Sequence, residues 1–128
     1  MKKIRPKIIT DNLSKLFVYQ FRKNFSLNLK RFFIVEGVKG QLRGKHAHKK
    51  SKQIIFCING VCKIFLDNGK KKSSIILTDT TLGIEVPRLV WSEQLYIKKN
   101  TKILVLTDKD YNKDDYISDY KIFKKLIK

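Results

Sequence analysis

Apolar and β-branched residues along this chain come in short runs, broken by polar and turn-forming positions. "KLFVYQF" (15–21) and "KRFFIVEGV" (30–38) have the aromatic and branched composition that fits a pleated surface. Between them, "RKNFSLNL" reads as a turn or a short strand. "QIIFCING" (53–60) and "VCKIFLDNGKK" (61–71) read as a hairpin turning at Asn59-Gly60, a pair that tolerates positive φ. Asp67-Asn68-Gly69 is the next turn signal. "SSIILTD" (73–79), "GIEVPRLVW" (83–91), "EQLYIKK" (93–99) and "KILVLTD" (102–108) follow. About eight strands at roughly 8–12-residue spacing predict an all-β sandwich, jelly roll or barrel.

The tail changes period. In "NKDDYISDYKIFKKLIK", Tyr116, Ile117, Tyr120, Phe123, Leu126 and Ile127 recur at helical spacing. Asp114 and Asp115 lie early and Lys124, Lys125 and Lys128 late, the arrangement a helix dipole favours. The pattern predicts one amphipathic C-terminal helix over about 113–127, packed outside the β structure.

With 128 residues, the chain fits a single domain, 1–128, around one core. It is 42% hydrophobic with two prolines, which excludes a disordered chain. No apolar run approaches the roughly 20 residues of a membrane span. The opening "MKKIRPKIITD" lacks the apolar stretch of a signal peptide. A soluble, cytoplasmic protein with no membrane partner is expected. Lys and Arg outnumber Asp and Glu by 29 to 11, a net charge of +18. That field concentrates anions without identifying one, and much of it is solvated lysine. Cys57 and Cys62 fall in an apolar segment without a CxxC pair, so they read as reduced core thiols.

The chemistry concentrates in "LRGKHAHKKSKQIIFCING" (42–60), which holds the only two histidines, His46 and His48. On a strand, positions i and i+2 share a face, so the two imidazoles project together. Such a pair holds a metal or moves protons; on an outer face it is a surface feature of a basic loop. From Gly40, five residues lead to His46-Ala47-His48, four more to Gln53 and six more to Gly60. This spacing resembles the first motif of the cupin family, G-x5-H-x-H-x4-E-x6-G, with Gln53 in the glutamate position. The resemblance implies a cupin-type jelly roll or small β-barrel with the histidines pointing into its mouth. A cupin metal site adds the glutamate and a further histidine. Here Gln53 replaces the carboxylate, and Ser92 of "GIEVPRLVWSE" (83–93) stands in the histidine's place. Catalytic divalent metals normally take at least three good ligands, so no metal is expected and acid/base work remains.

"RGKHAH" resembles the corresponding segment of cupin-fold sugar-nucleotide epimerases. A closer resemblance is to the nucleotide-sugar 3,4-ketoisomerases, carried by "LKRFFIVEGV", "RGKHAHKKSKQIIFCINGVCKI", "PRLVW" and "ILVLTDKDYNKDDYISDY" in that order. That resemblance implies conversion of dTDP-4-keto-6-deoxyglucose into a dTDP-3-keto-6-deoxyhexose, without a cofactor, towards 3-amino sugars of surface glycans. It implies that His46 is the general base and that His48 assists, orienting the substrate or relaying protons between its oxygens. Arg43 is carried over for the diphosphate, or else is a rim arginine; Arg31 is the second candidate. Gln53 either meets a sugar hydroxyl or satisfies backbone. Trp91 either packs beside the sugar or fills core, and Glu93 either helps the histidines or is exposed. Ketoisomerases often carry tyrosine in the strand where this chain has Phe32-Phe33, and Phe33 is carried over as a substrate contact. The resemblance also implies a homodimer, with an N-terminal strand exchanged between subunits. An epimerase, a non-catalytic sugar-binding cupin and a nucleic-acid binder are the rival readings; no nucleic acid is expected as partner.

Overall fold

The computed structural model describes residues 1–23, 26–78 and 82–128. Asn24 and Phe25 of "RKNFSLNL" and Asp79 of "SSIILTD" lie outside the described residues. In chain order the strands are β1 (Lys3–Ile4), β2 (Lys7–Thr10), β3 (Lys15–Val18), β4 (Arg31–Glu36), β5 (Leu42–His48) and β6 (Gln53–Asn59). They continue with β7 (Val61–Asp67), β8 (Lys72–Thr78), β9 (Gly83–Val86), β10 (Trp91–Tyr96), β11 (Lys102–Thr107) and β12 (Tyr116–Ile117), and the helix α1 spans Tyr120–Leu126.

Two five-stranded sheets face each other. One runs β1-β9-β6-β11-β4 and the other β12-β5-β10-β7-β8, while β2 and β3 form a separate hairpin. Every pairing is antiparallel. The architecture is an all-β jelly-roll sandwich with one C-terminal helix, the class the strand spacing and the motif predict. The sheets remain two layers and do not close into a barrel.

Period-two alternation builds the core. Ile55 and Cys57 on β6, Ile103 and Val105 on β11, and Cys62 and Ile64 on β7 meet between the layers. Ile55, Ile64, Leu77 and Ile84 are essentially sealed from solvent. Each such side chain contributes about 1.5–3 kcal/mol on burial. Cys57 and Cys62 are buried thiols not joined in a disulfide, as their apolar setting predicted. The intervening positions of β6, Ile54 and Phe56, pack on the outer side with Ile4 and Leu27. Among the described residues no helix is long and apolar enough to cross a membrane.

Two expectations need correction. Asn59-Gly60 is a turn, with Gly60 at φ +80°, but it does not close a hairpin. β6 pairs with β9 and β11, β7 with β8 and β10, so the chain passes from one sheet to the other there. The hairpin turn is instead Asp67–Gly69, where Asp67 accepts from the Gly69 N–H (2.7 Å) and Asn68 from the Lys70 and Lys71 N–H groups (2.9 and 2.8 Å). The helix does not start at 113. Lys113–Asp115 is a 3-10 turn, and Tyr116–Ile117 pairs with His48 and Ala47 on β5. Asp119, not Asp114 or Asp115, caps α1 by accepting from the Lys121 and Ile122 N–H groups. The helix lies against the outer side of the second sheet, burying Phe123 with Ala47, Trp91 and Ile117.

Candidate active site

Alternation on β5 decides which way the histidines point. Ala47 packs outward under the helix, so His46 and His48 face the space between the sheets. Their rings meet edge to face with centroids 4.9 Å apart. Arg43 is an odd number of positions away and should point outward. The register says otherwise: Ser92 is opposite His46 and Gln94 opposite Arg43, with a shift between Ser92 and Glu93. A bulge at Gly44-Lys45, at φ +84° and +56°, inserts the extra residue. Arg43 therefore shares the histidines' face.

Both imidazoles are anchored through Nδ1. His46 Nδ1 is 3.0 Å from the Gly44 carbonyl, and His48 Nδ1 is 3.1 Å from Asp115 Oδ2. Carbonyl and carboxylate oxygens only accept, so Nδ1 carries the proton in each ring. Asp115 also accepts from the Ser51 hydroxyl (2.6 Å) and the Lys50 N–H (2.7 Å). Burial pushes its carboxyl up, but the hydrogen bonds from Ser51, Lys50 and His48 outweigh that and hold it below the usual range. Burial pushes both histidines down; His48's charge adds to this at His46, while Asp115 opposes it at His48. The pair is thus neutral at pH 7. His48 is 3% exposed and its Nε2 has no hydrogen-bond partner among the described residues. The Tyr116 ring lies 5.0 Å from the His46 ring and 4.4 Å from that of His48.

The facing sheet supplies the other wall. Gln53 is opposite Thr107 and Val86, and Arg31 and Phe33 are opposite Thr107 and Val105, so all three point inward with the core positions of their strands. The Arg31 guanidinium lies over Phe33 at 5.2 Å and over Tyr111 at 5.6 Å, and its Nε donates to the Lys109 carbonyl. Its charge reaches His48, lowering that pKa. Phe32 points away and is 63% exposed, so only Phe33 of the pair faces the space between the sheets.

Trp91 and Glu93 do not join the site. On β10 the inward positions are Ser92, Gln94 and Tyr96, of which Ser92 and Gln94 are hydrogen-bonded to each other at 3.1 Å. Trp91 therefore faces the helix, with ring centroids 5.2 Å from Tyr120 and 5.7 Å from Phe123, and its Nε1–H donates to Glu93 on that same outer side. Trp91 is buried there with Ala47, Ile117 and Phe123.

What the sequence reading missed is Asp115, Tyr116, Ser51 and Gln94. Asp115 and Tyr116 belong to the "DYISDY" segment that carries the family resemblance, so a signal was present, but helical periodicity absorbed it. Among the described residues no three His, Cys, Asp or Glu side chains form a group able to hold a metal. Gln53 and Ser92 fill the positions where a cupin centre has its carboxylate and further imidazole, so the donor set does not fit a metal ion. Two neutral imidazoles, flanked by a phenol and two guanidinium groups, can instead move protons on a bound anion.

Known proteins carry the same architecture. A TDP-4-oxo-6-deoxy-alpha-D-glucose-3,4-oxoisomerase of Aneurinibacillus thermoaerophilus is 35% identical over 127 residues, 98% of this chain and 91% of that protein. The crystal structure of WlaRA, a TDP-fucose-3,4-ketoisomerase from Campylobacter jejuni, superposes with a TM-score of 0.89 at 34% identity, covering 99% of this chain and 95% of that one. QdtA, a sugar 3,4-ketoisomerase from Thermoanaerobacterium thermosaccharolyticum solved with TDP, gives 0.90 at 30% identity over 98% and 93% of the two chains. The family model described as "FdtA: WxcM-like, C-terminal" matches residues 1–128, and the chain belongs to that family.

Proposed function

We propose that this chain is a sugar-nucleotide 3,4-ketoisomerase that converts dTDP-4-keto-6-deoxyglucose into a dTDP-3-keto-6-deoxyhexose, feeding 3-amino sugars of surface glycans. The observation that carries the reading is the inward His46–His48 pair, with ring centroids 4.9 Å apart between the two sheets; burial lowers the pKa of both. Its support is a full-length match to a family whose named relatives catalyse this class of reaction.

Moving a carbonyl from C4 to C3 shifts one carbon-bound proton from C3 to C4 and one oxygen-bound proton from O3 to O4. No electrons leave the sugar, so a base that becomes an acid suffices. His46 takes the C3 proton; the electron pair forms C3=C4 and the C4 carbonyl pair moves onto O4. His48 serves the exchange between the oxygens. C3=O3 then forms as His46 returns its proton to C4. Such groups contribute about 10²–10⁴-fold each. Arg43, on the histidines' face, and Arg31, on the facing sheet, hold the diphosphate, for which a planar guanidinium suits paired oxygens. Gln53 and Phe33 border the sugar.

The active form is a homodimer. Ile8, Ile9 and Leu16 of the β2–β3 hairpin and Phe32 and Ile34 of β4 are 48–63% exposed. A groove of about 530 Å³ lies between β3 and the outer positions of β6 and β11, lined by Leu16, Phe17, Phe56 and Leu104. Contiguous apolar surface of this kind suits a second copy.

Proton NMR of dTDP-4-keto-6-deoxyglucose incubated with the protein tests the activity. A 3-keto product is expected; an epimerised 4-keto sugar points to an epimerase, and unchanged substrate to a binding protein.

A further inference from the structure

We infer that Asp115 is a positioning residue: by anchoring His48 through Nδ1 it fixes the tautomer in which Nε2, buried and without a hydrogen-bond partner among the described residues, is the proton acceptor. The inference rests on the ketoisomerase reading above. It names a residue from the tail, 67 positions beyond His48 in the chain, as part of the proton-transfer machinery.

The geometry makes the carboxylate a fixed point. It takes the Lys50 N–H at 2.7 Å on Oδ1, and the Ser51 hydroxyl at 2.6 Å and His48 Nδ1 at 3.1 Å on Oδ2. One donor is main chain and another is a hydroxyl on a residue only 2% exposed, so the carboxylate has little freedom to turn. The backbone agrees: the Lys49 N–H donates to the Asp115 carbonyl at 2.8 Å, and Tyr116 pairs with His48 in the sheet. The His48 and Asp115 side chains are 4% and 9% exposed, so water competes little for the contact.

The two imidazoles are therefore not equivalent. His46 leans on a neutral carbonyl; among the described residues no carboxylate is hydrogen-bonded to it, so a proton it receives is readily given up to carbon. His48 leans on an anion, so a proton arriving at its Nε2 is stabilised. The groups facing His48 are Asp115, Arg31, Asp108, His46 and Tyr116. Of the two carboxylates, Asp115 is the one hydrogen-bonded to the ring. This suits the oxygen-bound half of the reaction. The O3–H bond breaks as Nε2 takes the proton, Nε2–H then delivers it to O4, and His48 ends as it began. Asp115 neither gains nor loses a proton.

Asp115→Asn is the test. The Lys50 N–H holds the carboxamide oxygen in the Oδ1 position, which leaves the NH₂ in the Oδ2 position, facing the Ser51 hydroxyl oxygen and His48 Nδ1. That ring then carries its proton on Nε2, the wrong side. The expected result is a kcat about 10²–10⁴-fold lower, with KM changed less than about threefold. In D₂O, unconverted substrate still gains deuterium at C3, because His46 is intact; His46→Asn abolishes both exchange and turnover. A wild-type kcat in Asp115→Asn, or exchange lost together with turnover, overturns the inference. Nitrogen-15 NMR of the unaltered protein gives an independent check should that variant not fold. A His48 resonance protonated at Nδ1 supports the assignment, and one protonated at Nε2 ends it. If the unaltered protein leaves the keto sugar untouched, the ketoisomerase reading fails, while the tautomer measurement still judges Asp115.

Discussion

Arg43 and His46 share one face of β5 although they stand an odd number of positions apart. The bulge at Gly44-Lys45 makes this possible, and Gly44 is there for two reasons. Its φ of +84° is costly for any residue with a Cβ, and a Cβ would stand 2.6 Å from the Gln94 side-chain oxygen and 3.0 Å from the Ser92 carbonyl. Gly44→Ala is expected to cost about 1–3 kcal/mol. It should lower the unfolding midpoint and disturb Arg43 and His46 together, so kcat falls and KM rises. Retention of wild-type kinetics with an unchanged melting temperature would show that the bulge is not what aligns them.

Arg43 and Arg31 stand on opposite sheets, and their loss should be felt in binding more than in chemistry. Arg43→Ala is expected to raise KM at least tenfold, about 1.4 kcal/mol, with kcat changed less. Arg43→Lys restores charge but not the planar fork, so it recovers only part of the loss. Competition by free TDP measures the same effect without catalysis. If TDP binds Arg43→Ala as tightly as the unaltered protein, Arg43 is a rim residue.

Much of this fold was legible in the residues, and the exceptions share a cause. Eight runs marked strands, and Asn59-Gly60 marked a turn, because turn chemistry is local. Which sheet each strand joins is set by pairing across long sequence separations, and β6 and β7 part there without any local sign. Parity explains Trp91 and Glu93: they flank Ser92, and only the register against His46 shows that Ser92 is the inward one. Asp115 was hidden for the opposite reason. An aspartate before a helical pattern has a sufficient local explanation in the helix dipole, so nothing in the tail alone suggests partners on β5 and in the loop that follows it. The histidine pair, by contrast, was legible because a two-residue spacing on a strand fixes its own geometry.

The pH dependence follows from the lowered histidine pKa values. His46 must be neutral to take a proton, so kcat/KM should be flat around neutrality and fall on the acid side with a midpoint below 6.5, the ordinary histidine value. Stability has the same sign. Folded His46 and His48 bind protons less readily than in the unfolded chain, so their contribution is complete above about 6.5 and erodes as pH drops through that value. Asp115, held below the ordinary carboxyl range, adds a second loss only below about 3.9, where the unfolded chain begins to take up protons ahead of the folded one. An acid limb centred above 6.5 would contradict the neutral pair. Paired rate and denaturation profiles across pH 4.5–8 (an approximate working range) separate the two effects.

The helix ties these elements together, and the chain's single tryptophan reports on it. Phe123 is fully buried against Trp91, Ala47 and Ile117. Removing its ring costs about 3–5 kcal/mol through lost burial and the cavity left behind. Phe123→Ala should shift Trp91 emission to the red, since that ring then meets water, and lower the melting temperature. It should also lower kcat, because Ile117 packs beside Phe123 and continues the segment that holds Tyr116 and Asp115 against His48. Trp91→Phe makes the contrast. It keeps an aromatic ring beneath the helix and touches nothing in the cavity, so KM should stay within about twofold, far less than tenfold in binding. A KM raised tenfold by Trp91→Phe would place that ring beside the sugar after all, and with it the phase of β10 on which the whole inward set of Ser92, Gln94 and Arg43 depends.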